Sequence, residues 1–143
     1  GDVLEKIAIQ RFASTLSSLL KAGLPIIDSL EITADVIGND RLKEALLRIS
    51  REGVSKGLTI GDSFKRETDF PRTVVNLIAI SEKAGHLESI LLTLSSFYEG
   101  EIVSTIAVLI SILEPALLVI IGFIIGSIAL AILVPIYQLA GQL

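Results

Sequence analysis

The side chains able to do chemistry are few in this sequence, and their spacing joins none of them into a catalytic set. His86 is the only histidine, and there is no cysteine. That removes a Cys–His pair, a Ser–His–Asp triad and the usual zinc ligand sets, which draw on several of these residues at once. It also removes any disulfide frame. His86 follows Gly85 in a predicted turn, where a lone imidazole is solvated. The aspartates and glutamates are scattered along polar helix faces and are not paired as an acid and a base. Gly57-Leu58-Thr59-Ile60-Gly61-Asp62-Ser63 has the outline of a phosphate loop. It lacks the lysine that would reach the phosphates, its glycines are misplaced, and no strand precedes it. It reads as a helix–turn–helix connection. The expectation is a non-enzyme with no catalytic residue, no metal and no cofactor.

What the chain has in place of chemistry is a long apolar segment. Ala116 to Val134 holds no charge, and Ser127 is its one polar side chain. Nineteen helical residues rise about 28 Å, close to the ~30 Å of bilayer hydrocarbon. Such a run spans lipid as a helix, because a helix satisfies its own backbone there. The rest of the chain is too small to wrap this helix on every side. Membrane lipid is therefore its expected surroundings.

Charge is distributed accordingly. The first 101 residues carry twelve basic and fifteen acidic side chains, a formal charge of −3, and Glu114 is the only charge beyond them. An acidic balance argues against nucleic acid as a partner. No secretory signal opens the chain, since Gly1 to Gln10 is charged and amphipathic. The start at Gly1, with no methionine anywhere, suggests a fragment. All basic residues precede the span, which places that side in the cytoplasm and the C-terminus in the periplasm. The nearest of them, Lys83, is 33 positions before Ala116, farther than the distance at which this rule is strongest.

Before the span every segment has a period near 3.6. Leu4, Ile7, Ala8, Phe12, Leu16, Leu19 and Leu20 form the first apolar stripe, ended by Gly23. Pro25 suits the first turn of a second helix carrying Ile26, Ile27, Leu30, Ala34 and Ile37. Asn39 or Asp40 caps a third, whose inner face is Leu42, Ala45, Leu46 and Ile49 and whose Glu44 and Arg48 form an exposed pair. A short fourth helix is predicted from about Gly61 to Glu67. Asp69-Phe70-Pro71 starts a fifth carrying Val74, Val75, Ile78 and Ile80, closed by Gly85. A long sixth begins at Leu87. Its portion Ile102–Leu113, too short to cross a bilayer alone, is expected to lie partly against the bundle and partly at the interface.

The fold expected is all-α: a cytoplasmic antiparallel bundle of about six helices whose last helix leads into one C-terminal transmembrane helix. The ranges are residues 1–113 for the helical domain, 114–137 for the span and 138–143 for a short periplasmic tail. Glu114, Pro115, Pro135 and Tyr137 mark the membrane boundaries. Pro115 predicts a kink or a fresh helix start, and Pro135 a helix break. Glu114 is either a hydrated carboxylate at headgroup depth, the reading favoured, or an acid that pairs with another helix or senses a proton. Gly122, Gly126, Ser127 and Ala131 put small residues four apart, a face on which a second membrane helix can pack closely.

Several stretches together resemble a known family. Arg11-Phe12-Ala13, Leu19-Leu20-Lys21-Ala22-Gly23-Leu24-Pro25 and Leu30-Glu31-Ile32 look like the opening of a type II secretion F domain, the repeat of the GspF/PilC inner-membrane platform proteins. Phe70-Pro71 and Glu82-Lys83-Ala84-Gly85-His86-Leu87 resemble its second signature. Leu113-Glu114-Pro115 and Val134-Pro135-Ile136-Tyr137 resemble the end of the second repeat. Gly23, Pro25, Phe70, Pro71, Glu82, Gly85 and Leu87 are thereby the motif positions. Glu82 is expected to cap or pair within the bundle, and Leu87 to pack under the turn. At Gly61 the family more often has serine at a helix start, and glycine is an acceptable cap. The family has two F repeats and usually three spans, whereas this chain has one of each.

The resemblance implies a platform beneath a type IV pilus or a type II secretion pseudopilus. There it would turn the cycle of a cytoplasmic assembly ATPase into extraction of pilin or pseudopilin from the membrane. Implied partners are that ATPase, pilin or pseudopilin, other inner-membrane machine components and further copies of the chain. A second reading is a membrane-anchored helical adaptor or regulator unrelated to pilus assembly.

Overall fold

Glycine and proline at the helix boundaries cut the first hundred residues into helices short enough to fold back on one another. The computed structural model describes residues 2–142, so Gly1 and Leu143, the outer ends of the expected domain ranges, lie outside the described residues. The helices are α1 (Asp2–Lys21), α2 (Ile26–Val36), α3 (Asp40–Arg48), α4 (Ile60–Lys65), α5 (Arg72–Ala84) and α6 (Leu87–Gly141). No strand occurs among the described residues. After α3 the chain widens into a π-helical turn, Ile49–Gly53, then tightens into a 3-10 turn, Val54–Lys56. The fold is all-α, and α6 is the one helix among the described residues long and apolar enough to cross a membrane.

Two compact units divide the chain, Gly1–Val103 and Ser104–Leu143. In the first, α1 to α5 and the start of α6 enclose a core centred on three phenylalanines. Phe12 of α1, Phe64 of α4 and Phe70 before α5 meet pairwise with ring centroids 5.1 to 5.7 Å apart and tilted planes. Leu16, Leu30, Leu42, Leu46, Ile49, Val74, Ile78 and Leu91 are buried around them. α1 lies antiparallel to the start of α6, with polar rungs along the seam. Lys6 Nζ is 3.5 Å from a Glu101 carboxylate oxygen, Gln10 donates to Ser95 Oγ at 3.3 Å, and Ser17 Oγ donates to the Glu88 carbonyl at 3.0 Å.

Several local expectations are corrected. Leu4 and Ile80 belong to predicted apolar stripes yet are 69% and 65% exposed, because each stripe is wider than the surface its neighbours cover. Pro25 stands one position before the first turn, at the N-cap of α2, with extended backbone. The fourth helix is Ile60–Lys65, capped by Thr59 and not by Gly61. Arg48 leaves the exposed pair with Glu44 and turns to Glu67.

The second unit is the remainder of α6. Helix continues through Pro115 and Pro135 to Gly141, so neither a fresh helix start nor a break occurs at these prolines. Each proline withholds one donor, whereas ending a helix would orphan up to four N–H or four C=O groups at that end. Within Ile102–Leu113, Val103, Ile106, Val108, Leu109, Ile110, Ile112 and Leu113 are exposed.

Candidate functional site

The most tightly built polar feature lies where the end of α5 meets the start of α4. The first N–H groups of a helix have no partner within it. At α4 all of the first three are taken by side chains. Thr59 Oγ1 accepts from Asp62 N at 3.1 Å, while the two oxygens of Glu82 accept from Ile60 N at 2.7 Å and Gly61 N at 2.9 Å. Glu82 therefore caps α4 from another helix, and the carboxylate is aligned with two donors at once. The turn behind it holds Glu82 in place. Gly85 has φ +76° and donates to the Glu82 carbonyl at 3.2 Å, and His86 N donates to the Ser81 carbonyl at 2.9 Å. This paired pattern closes a helix with a left-handed residue, where a side chain would be strained. Gly23 closes α1 by the same pattern. Leu87 is partly buried against the core just beyond the turn.

Gly61 allows this cap to form. A methyl there would stand 2.9 Å from both Cα and Cβ of Ala79, so α4 and α5 touch backbone to backbone at this point. Gly53 is a second close approach, where an added Cβ would lie 2.7 Å from Ser63 Cβ. Sequence reasoning treated Gly61 as a cap and missed it as a contact. The glycine itself, out of place near the start of a helix, was the available signal.

Phe70 and Pro71 act as a pair. Phe70 anchors the loop in the aromatic core, and Pro71, with ψ 141°, sits at the N-cap of α5 and receives Val75 N at 3.1 Å. A fork from Arg48 fixes the same loop. Its Nε donates to Glu67 Oε1 at 3.0 Å and Nη2 to Oε2 at 2.8 Å. Asp69 joins at 3.6 Å and itself pairs with Arg41 at 3.3 Å. The hydrogen bond to Glu67 is the first reason that the Arg48 guanidinium is held above its ordinary range. The sequence pointed to Glu44 as the partner of Arg48 and gave no sign of Glu67, because a nineteen-residue separation gives no periodic signal.

The positions in α6 carry a different kind of information. Glu114 is exposed and makes no ion pair or hydrogen bond among the described residues. Gly122 and Gly126 have open space where a side chain would be. Ser127 returns its hydroxyl to the Phe123 carbonyl at 2.9 Å, which removes a polar group that lipid could not satisfy. Ala131, Pro135 and Tyr137 are exposed on the same helix. Only capping and packing interactions were found at the motif positions, and no cluster of three metal-ligating side chains occurs among the described residues.

An α-helical unit closed by an inter-helix carboxylate cap, followed by a helix long and apolar enough to cross a membrane, defines the class of this module. The family model for type II secretion system protein F matches residues 12–135, and the chain belongs to that family. It is 32% identical over its whole length to the type IV pilus assembly protein PilC of Myxococcus xanthus, covering 34% of that protein. It is 32% identical over 97% of its length to PilC of Pseudomonas aeruginosa, covering 37% of it. The type II secretion system protein F of Pseudomonas aeruginosa is 30% identical over 97% of the chain and 34% of that protein. The chain thus spans about a third of the length of the curated relatives it matches.

Proposed function

We propose that this chain is the second F repeat and C-terminal span of a non-enzymatic platform protein in the bacterial inner membrane, serving a type IV pilus or type II secretion machine. The observation that carries this reading is the match across residues 12–135, shared by relatives named for pilus assembly and for secretion. Residues 1–113 form the cytoplasmic helical domain, 114–137 the transmembrane segment and 138–143 the periplasmic end. Unit 1 takes up movement from an assembly ATPase, and the membrane helix carries it to pilin or pseudopilin and to other membrane components. Gly122, Gly126, Ser127 and Ala131 are the face on which a neighbouring helix, including that of another copy, packs. Glu114 and Pro115 stand at the inner lipid boundary, Pro135 and Tyr137 at the outer one. Rigid capping of α4 by Glu82 suits a part that transmits force and performs no bond chemistry.

The test is deletion of the gene in its own host, followed by electron microscopy of pili and assay of secreted protein. Loss of either, with recovery of an assembly ATPase on the detergent-solubilised full-length protein, is the expected outcome. Normal pili and normal secretion in the deletion strain would refute the assignment and leave the adaptor reading.

A further inference from the structure

We propose that the shallow groove between α4 and α5, bounded by Lys65, Asn76, Ala79, Ile80 and Lys83, docks an acidic, partly aliphatic segment of a protein partner. The groove has a volume of about 230 Å³. Asn76, Ile80 and Lys83 lie four and three residues apart, so one outward stripe of α5 forms its floor and one wall. Ile80 stands in this stripe 65% exposed, between two exposed lysines.

The sequence around these lysines looks neutral, because Lys83 follows Glu82 and Lys65 lies two residues before Glu67. Folding buries Glu67 and leaves Glu82 half-buried, with its carboxylate turned toward α4. Glu82 is committed to the amides of Ile60 and Gly61, and Glu67 to the Arg48 fork. Asp69, the next acid, pairs with Arg41 and Arg48. From Val54 to Ala84 the exposed cations Lys56, Lys65, Arg66, Arg72 and Lys83 form no ion pair among the described residues, and Asp62 is the only exposed carboxylate left. A chain of net charge −4 thus presents a local cationic surface with an aliphatic centre. Carboxylates flanking a leucine or isoleucine complement it in charge and in apolar area.

Position favours a protein over lipid headgroups. Lys83 lies beside the turn that begins α6, and Leu87–Glu101, about 22 Å of helix, separates that turn from the stretch in which Glu114 is the only charge. The proposal rests on reading unit 1 as the aqueous docking domain of a machine component.

The test uses the full chain in phosphatidylcholine nanodiscs and two fluorescein-labelled 14-residue peptides, one of alternating Glu and Leu, the other of alternating Glu and Ser. The Glu/Leu peptide is expected to bind saturably and more tightly than the Glu/Ser peptide. K65E/K83E should weaken it roughly tenfold, and I80N several-fold, as losing contacts and adding repulsion at exposed sites would do. K65R/K83R and the distant K21E should bind as the parent does. Circular dichroism confirms that the variants fold. Unchanged binding by K65E/K83E, equal binding of the two peptides, or an equal loss in K21E overturns the proposal. So does adsorption of the nanodisc-held chain to phosphatidylglycerol vesicles, lost in K65E/K83E, when neither peptide binds. In cells, full assembly by a K65E/K83E allele at normal abundance counts against the groove while the deletion phenotype still supports the platform. A deletion without phenotype removes the platform reading, and the peptide titration then judges the groove by itself.

Discussion

At the scale of the residue, Glu82 shows how one side chain can hold two helices together. Glu82→Ala would strand the Ile60 and Gly61 amides and should lower the stability of unit 1 by about 1–3 kcal/mol. Glu82→Gln keeps one acceptor and should cost less than Glu82→Ala. Chemical denaturation in detergent, followed by helicity, separates the two, and equal losses would show that the one bond a glutamine keeps contributes nothing. Phe70 is the other test at this scale. It fills the centre of the aromatic cluster, so Phe70→Ala should destabilise by about 3–5 kcal/mol, with the cavity adding to lost transfer energy. A midpoint shift equivalent to less than 1 kcal/mol would mean the core collapses around the gap. The resemblance singled out Glu82 and Phe70, but neither periodicity nor composition revealed which atoms they meet.

Among elements, two contacts define how unit 1 resists deformation. α4 and α5 touch at Gly61 and Ala79, so Gly61→Ala must push the helices apart and should cost about 1–3 kcal/mol. Because the backbone of Ala79 is part of the obstruction, Ala79→Gly should rescue it only in part, a double-mutant result readable by thermal melts. The α1–α6 seam is tested by pH. Burial is the main cause that raises the Tyr98 phenol above its usual range, Glu5 and Glu101 add to it, and Lys6 opposes them. Its hydrogen bond with Asp2 likewise raises Lys6. For both groups the folded pKa exceeds the unfolded one, near 10.0 for tyrosine and 10.5 for lysine. Their stabilisation is complete below about pH 10 and is lost as pH rises through the folded values. Tyr98→Phe should therefore reduce the fall in melting temperature between pH 9 and 11, leaving the share due to Lys6. Identical slopes for parent and variant would remove Tyr98 from the account.

For the whole molecule the decisive prediction is topological. The sequence has no cysteine, so single cysteines can be introduced without background. At Glu88, a cysteine should react with a membrane-impermeant maleimide only after the inner membrane is opened. At Gln142, it should react from the periplasmic side in intact spheroplasts. Reversal of that pattern would invert the proposed orientation, and labelling of both without permeabilisation would remove the span.

By itself the sequence determined the helical class, the apolar stretch with its lone Ser127, and the cutting of the first hundred residues at glycine and proline. These are local properties: a period of 3.6, an unbroken lack of charge and a left-handed turn are each written within a few neighbouring residues. Tertiary structure alone decided which acids face inward. Glu44 and Arg48 satisfy the rule for a pair on one helix, yet Arg48 takes Glu67 because a buried carboxylate with two donors aligned outweighs a solvated partner. It alone decided that Gly61 is a contact and that Ile80 faces outward. Those outcomes depend on what lies across space from each residue, and sequence spacing does not encode that.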